Sequence, residues 1–230
     1  MSAPLKPIQP VVVRPAATVI VLDTIAGEPS ALMVRRNPAL RFFGGYWVFP
    51  GGAIDAADTL AGADVIRAAA IAGSRELNEE ASLTLDPTRL VHWGRWITPS
   101  NEPKRFDTHF FVGAAEPGKQ PSIVEGEIVA WEWLPLSRWP GLTGGPGFPV
   151  PTPTQVVLRE VAEALEQHGS IAELLARERA RPIHTVLPKT AADEATVLPW
   201  DPEYASLPGE GLEWSAEALG TRRSWPSRFR

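Results

Sequence analysis

The chain has 230 residues, enough for one well-buried core and a small appendage, and its 44% hydrophobic and 21% charged content is that of a soluble globular protein. A formal charge of −5 excludes a general nucleic-acid binder, which needs a basic face, but leaves room for a local basic pocket serving one phosphorylated substrate. The absence of cysteine excludes disulfides, thiolate catalysis and Cys-based zinc sites.

In chain order, Met1 to Pro10 is broken by Pro4, Pro7 and Pro10 and has no apolar stretch, so no signal peptide is expected. The apolar run Val11–Leu22 contains Arg14 and Pro15 and is too short to span a bilayer. Ser227-Arg228-Phe229-Arg230 is not a peroxisomal address, so a cytoplasmic protein without a membrane partner is the expectation. Ala16–Asp23 has the pattern of a buried strand, and Ala31–Arg36 follows as a second after the turn at Gly27-Glu28-Pro29. Tyr46–Pro50 reads as a short third strand entering a glycine turn at Gly51-Gly52. Asp64–Ala81 is alanine-rich and helical, with Gly73 and Ser74 weakening its middle. A short inserted helix near Asp64–Ala70, running into or bending toward the next, is therefore expected. Leu90–Ile97 is a strand with Gly94 as a candidate bulge, and Asp107–Gly113 and Glu127–Leu134 are further strands. Val156–Gln167 and Ile171–Arg179 have helical periodicity.

Strands and helices alternate irregularly, which predicts an α/β domain with a mixed sheet flanked by helices rather than a doubly wound one. The expected organisation is an N-terminal arm over 1–13, a domain over 14–180 and an irregular, proline-rich extension over 181–230. That extension keeps Leu198, Trp200, Tyr204, Leu207, Trp214 and Trp225, too many large residues for a disordered tail. It is expected to pack on the domain or on a second subunit, which admits a homodimer.

Chemistry concentrates between Gly51 and Leu83. Glu76, Glu79 and Glu80 stand at i, i+3 and i+4, so a helix brings their carboxylates to neighbouring positions. Such a triplet is often a solvated acidic face. Here Arg75 directly precedes it and a glycine turn lies upstream, an arrangement suited to a phosphate and metal site. Three close carboxylates raise one another's pKa unless a cation neutralises them, and hard oxygen ligands suit Mg²⁺ or Mn²⁺. Arg35, Arg36, Lys104 and Arg105 are candidates for gripping phosphates, solvated strand ends being the plainer alternative. His109 alternates with apolar neighbours and reads as a core or edge histidine, and the nine tryptophans as packing residues. Neither a serine-nucleophile elbow nor a Walker loop is present; Gly144-Gly145-Pro146-Gly147 is a proline-interrupted turn.

These residues resemble the Nudix hydrolases, whose box is G-x5-E-x7-R-E-U-x-E-E-x-G-U with U a bulky aliphatic residue. Gly52 fits the first glycine, Asp58 stands where the family has Glu, and Arg75, Glu76, Leu77, Glu79, Glu80 and Leu83 match the remainder. Two positions depart. The spacer from Asp58 to Arg75 has sixteen residues, an insertion of nine, and Ser82 replaces the last glycine. The resemblance implies an α/β/α sandwich and a diphosphate hydrolase acting on a small molecule, with Glu76, Glu79 and Glu80 binding Mg²⁺ or Mn²⁺. Arg75 would hold those glutamates in register, Gly51 and Gly52 would shape the turn, and Glu127, or its neighbour Glu125, would add a ligand. The enlarged spacer, Arg35-Arg36 leading through Phe42, Phe43 and Gly45, Trp96-Ile97-Thr98-Pro99 and Arg105–Phe111 are similar to the branch that cleaves coenzyme A and acyl-coenzyme A. NADH, ADP-ribose, nucleotide sugars and a non-catalytic ligand-binding module are the alternatives.

Overall fold

The computed structural model describes residues 11–59, 64–123, 126–139, 147–212, 214–215, 220 and 225–229. Its centre is strand β1 (Val13–Ile25), which pairs along one edge in parallel with β6 (Arg105–Ala114), from Val13↔Arg105 to Leu22↔Ala114. The other edge of β1 is divided. Its C-terminal end pairs antiparallel with β2 (Glu28–Arg36), and its N-terminal end with β4 (Gly51–Ala53), Thr18 facing Gly51. β2 diverges from β1 to pair with β3 (Trp47–Val48) and β7 (Ile128–Pro135), while β5 (Val91–Ile97) lies beyond β6. The mixed α/β sheet expected from the irregular alternation is thus present, with a fork at mid-β1.

Alternation along β1 separates two cores. Ala17, Val19 and Val21 face helix α1 (Val65–Ala81), where Ala69, Ala70, Ala72, Leu77 and Ala81 pack against them. Ile20 and Leu22 face the opposite side, covered by Val156, Val157, Leu158 and Val161 of helix α2 (Thr152–His168) and Leu174 of helix α3 (Ile171–Arg177). Each fully buried Val, Leu or Ile among them contributes roughly 1.5–3 kcal/mol, and each alanine methyl about 0.8 kcal/mol.

α1 differs from the expectation of a separate short helix. It is one uninterrupted element, begun by the Asp64 side chain accepting the Arg67 N–H at 2.8 Å. Gly73 does not break it because the helix lies close on the sheet there: a Cβ at this position would come within 2.7 Å of Val19 Cγ2. Ser74 is likewise absorbed, its buried hydroxyl donating to the Leu85 carbonyl. At the C-terminus Ser82 adopts φ 54°, the left-handed cap conformation that favours glycine.

The strand expected over Tyr46–Pro50 is shorter, Trp47–Val48, and the glycine turn expected at Gly51-Gly52 is instead strand β4, paired with β1. Pro50 has no N–H to continue a ladder, and its carbonyl instead accepts Val19 N–H at 2.9 Å, so the chain passes from the β2 edge to the β1 edge at that residue. The expected bulge near Gly94 is present, with Trp93 as the extra residue between His92↔Phe111 and Gly94↔Phe110. Beyond α3, Glu178–Ala180 tightens into a 3-10 turn. The following segment is more ordered than the expected irregular extension. β8 (Thr185–Val186) pairs in parallel with β5, and β9 (Lys189–Thr190), β10 (Thr196–Val197) and β11 (Arg228–Phe229) form a second small sheet. Trp200 and Trp225 enter the core beneath α2, and buried Lys189 is held by the carbonyls of Tyr204 and Leu207 at 3.1 and 2.8 Å. Among the described residues no helix is long and apolar enough to cross a membrane.

Candidate functional site

The fork in the sheet sets the site. Leu77 and Ala81 turn into the core and fix the rotation of α1, so Glu76 and Glu80 face the β4 backbone while Glu79 stands outward and exposed. Glu80 is buried, 9% exposed, and its Oε2 accepts the Gly51 N–H at 3.0 Å. Gly51 is required by its backbone neighbours, and Gly52 leaves room for a side-chain carboxylate. A Cβ on Gly51 would fall 2.8 Å from Thr18 Cα and nearer still to the Ala17 carbonyl oxygen, and one on Gly52 would overlap the Glu76 carboxylate.

Arg75 ties this corner together. Its Nε and Nη2 donate to Asp58 Oδ1 and Oδ2 at 3.0 and 2.9 Å, and Nη2 also reaches the Ala53 carbonyl at 3.0 Å. Nη1 reaches Glu76 Oε1 at 2.9 Å and Glu79 Oε2 at 3.2 Å. Asp58, buried, also accepts the Asp55 N–H at 2.8 Å. Burial pushes the Asp58 carboxyl up, but the Arg75 hydrogen bonds, the Asp55 N–H and the Arg75 charge outweigh it, leaving the group below its ordinary value. The same partnership, led by the bond to Asp58, pushes Arg75 upward.

The glutamates are shifted the other way. Burial raises Glu76, and the charges of Glu79 and Asp55 add to it against the opposing Arg75. Burial pushes Glu80 up to about 8; Gly51 N–H and Arg36 oppose the shift, Glu76 and Glu127 reinforce it. Arg36 Nη1 lies 3.9 Å from Glu80 Oε1 and its Nη2 3.0 Å from Glu127 Oε2, which links the exposed Glu127 to the helix acids. Among the described residues no group of three or more His, Cys, Asp or Glu side chains is gathered to hold a metal ion. The reason is visible in the pairings: Glu76 and Glu79 are turned onto Arg75, and Glu80 onto Gly51. The donor chemistry nevertheless suits a hard divalent cation, because two partly buried carboxylates with raised pKa values gain most from a nearby positive charge.

These acids form one wall of a cleft of about 980 Å³. Arg36, Gly51, Gly52, Arg75 and Glu127 share it. Arg14, Ala16 and Thr18 of β1 with Phe106, Thr108 and Phe110 of β6 form its floor, and Phe42, Phe43 and Lys104 line it with Pro188, Thr190 and Thr196 of the C-terminal segment. Two of the cations read as phosphate grips fall outside. Arg35 alternates away from Arg36 and binds the Gly45 carbonyl at 3.2 Å. Arg105 is buried, bound to the Thr98 carbonyl at 3.1 Å and to Glu210 of the C-terminal segment at 2.8 Å. Glu125 and Gly144 to Pro146 lie outside the described residues. Sequence reasoning missed Arg14, Thr152 and Thr154 as cleft residues. The Thr152-Pro153-Thr154 run was the available signal, since proline near a helix start marks the terminus that here opens on the cleft.

His92 and His109 are a separate pair, His109 Nδ1 lying 3.1 Å from His92 Nε2 across β5 and β6, away from the cleft lining. Burial, then the neighbouring His109, pushes His92 down to about 4, and burial lowers His109 as well. They are packing histidines.

Residues 12–149 match the family model of the NUDIX domain. The chain is 25% identical over 138 residues to a Caenorhabditis elegans protein named "Putative nudix hydrolase 7", covering 45% of each. It thus spans less than half the length of that relative. The crystal structure of a NUDIX hydrolase from Alicyclobacillus acidocaldarius superposes with a TM-score of 0.60 at 25% identity, over 75% of this chain and 99% of that one. The NUDIX domain of Shewanella oneidensis NrtR, solved with ADP ribose, gives a TM-score of 0.52 at 15% identity, over 67% and 89% of the two chains, and is a likeness of fold.

Proposed function

The chain belongs to the Nudix family, and from that premise we propose that it is a metal-dependent hydrolase of a diphosphate linkage in a nucleoside diphosphate derivative, with coenzyme A or an acyl-coenzyme A as substrate. The observation that carries this reading is the meeting of Glu76 and Glu80 with the Gly51-Gly52 backbone, Glu79 beside them on Arg75, at the wall of a cleft of about 980 Å³, large enough for an extended ligand. Glu76, Glu79 and Glu80, with Glu127, would hold Mg²⁺ or Mn²⁺. When bound, the cation supplies charge neutralisation at the phosphoryl oxygens and a more acidic water.

The remaining work falls to the chain. Arg75 positions Glu76 and Glu79 and links them through Asp58 to the turn before α1. Gly51 N–H and Arg36 orient Glu80, and Arg36 is the cation of this wall placed to meet a phosphate. A glutamate accepts the proton of the attacking water. Arg35 and Arg105 act as scaffold, the first on the loop before β3 and the second on the C-terminal segment.

A second reading, a non-catalytic ligand-binding module, is favoured by one observation, the engagement of every box glutamate by protein donors. A substrate panel separates the two: coenzyme A, an acyl-coenzyme A, NADH, ADP-ribose and a nucleoside triphosphate with Mg²⁺ or Mn²⁺, products identified by mass. Coenzyme A is expected to yield an adenosine bisphosphate and a phosphopantetheine. Binding without hydrolysis of any member establishes the module instead. Glu79→Gln is expected to abolish turnover and preserve the fold, since Glu79 is exposed; full activity in that variant removes the metal assignment.

A further inference from the structure

Among the described residues, helix α2 begins without a cap. Pro151 precedes its first turn and offers no side-chain hydrogen bond, no acid stands in that turn, and Pro153 has no N–H. The N–H groups of Thr152 and Thr154 have no acceptor among the described residues; the first closing bond of the turn runs from Gln155 N to Pro151 O at 3.0 Å. Thr154 is only 5% exposed, yet its hydroxyl has no hydrogen-bond partner among the described residues, and both threonines line the cleft.

A 17-residue helix carries about half a positive charge at its N-terminus. When that end is largely enclosed and uncapped, its free donors call for water or a ligand. This end of the helix offers two N–H groups and two hydroxyls to the cleft, and no guanidinium is bonded to them among the described residues. Neutral donors at a helix end suit the three oxygens of a phosphoryl group, whereas a planar carboxylate is matched by an arginine fork.

We infer that the N-terminus of α2 is a second anion subsite of the cleft, taking a phosphomonoester that the substrate carries apart from the diphosphate to be cleaved. This rests on the hydrolase reading for its substrate. The two subsites come from different elements: the box acids belong to α1, packed on one face of the sheet, and Thr152 and Thr154 to α2, packed on the other. A ligand filling both therefore has phosphates at two separated positions.

The test uses the full chain, metal-free, in calorimetric titrations with adenosine 3′,5′-bisphosphate, AMP and inorganic phosphate. The bisphosphate is expected to bind at least about tenfold tighter than AMP, with inorganic phosphate competing weakly. Thr152→Asp places a carboxylate on the subsite in a position that stabilises the helix, so the melting temperature should not fall while the bisphosphate preference drops about tenfold. Thr154→Val, nearly isosteric, should reduce the same preference in part. In turnover, the ratio of kcat/KM for coenzyme A over its dephospho form should fall in both variants. Equal affinity of the wild-type chain for bisphosphate and AMP overturns the inference. So does an equal loss for both ligands in Thr152→Asp, which assigns the subsite to the phosphate they share. If no substrate is hydrolysed by the wild-type chain, the hydrolase reading fails while the titrations still decide the subsite.

Discussion

Replacing Arg75 with Gln removes the one cation that meets Asp58 among the described residues. The Asp58 carboxylate is 3% exposed and receives two parallel guanidinium bonds of 3.0 and 2.9 Å, with the Asp55 N–H its one further donor among the described residues. Breaking one side of a buried ion pair leaves an uncompensated charge, at a cost of about 3–5 kcal/mol. The contacts to Glu76 and Glu79 add little to that figure, Glu79 being 56% exposed and screened by solvent. Urea unfolding at pH 7 should therefore show a large fall in midpoint with the slope unchanged.

The cycle with Asp58→Asn makes the reasoning falsifiable. The neutral amide of that variant has no charge to strand, so the double variant should be less destabilised than the two single losses summed, with a coupling of roughly 1–3 kcal/mol. The pH dependence follows from the sign of the shift. Asp58 is depressed in the native state, so its contribution is present above its ordinary value of 3.8 and lost as pH falls below it. Without Arg75, burial dominates and raises the group, so the deficit of the variant should shrink on acidification from pH 7 toward 4. Additivity within about 0.5 kcal/mol, or a deficit independent of pH, refutes the proposed anchoring of the box by this pair.

Other outcomes are as specific. Ser82→Gly should stabilise the chain by about 0.5–1 kcal/mol in thermal or urea unfolding, relief of the left-handed φ of 54° exceeding the added freedom of the unfolded chain. Gly52→Ala should leave the fold but displace the Glu76 carboxylate, lowering kcat about 100-fold on whichever panel substrate is turned over. His92 is pushed from 6.5 down to about 4, so its contribution is complete above pH 6.5 and lost as pH falls toward 4. At 1.36 kcal/mol per unit the unscreened loss is about 2 kcal/mol at pH 5, and partial solvent access to the ring brings it to about 1 kcal/mol. His92→Gln should flatten that slope, and equal slopes in the two chains remove the assignment.

How far the sequence can be read depends on whether a signal is local. The strands announce themselves because both faces of β1 are buried, and the box because its acids sit on one helix at fixed spacing. What escapes such reading depends on contacts distant along the chain. Nothing in Arg105 or Arg35 distinguishes a phosphate grip from a scaffold; the decision comes from Glu210, more than a hundred residues on, and from the strand phase that turns Arg36 inward and Arg35 out. The break at Pro50 is readable in principle from the missing N–H, but only the fork in β1 explains why a second strand follows at once. The extension reads as irregular because its strands are two residues long, below the length at which alternation is visible.

The nine additional residues before Arg75 remain to be reconciled with an intact corner. Asp58 and Arg75 meet at 2.9 Å across a spacer of sixteen residues where seven suffice in the family pattern. For a flexible loop the added closure entropy grows as the logarithm of length, so slightly more than doubling the spacer costs only about 0.7 kcal/mol. That is an upper bound here, because ten of the sixteen residues, Val65 to Ser74, lie in α1 itself, begun by the Asp64 cap. The cost of breaking the buried pair exceeds this penalty several-fold. The insertion can therefore lengthen the helix at its N-terminal end without disturbing the turn that carries Glu76, Glu79 and Glu80. By the same logic, deleting residues among Leu60 to Ala63 should cost little at the box, whereas losing Asp58 should cost much.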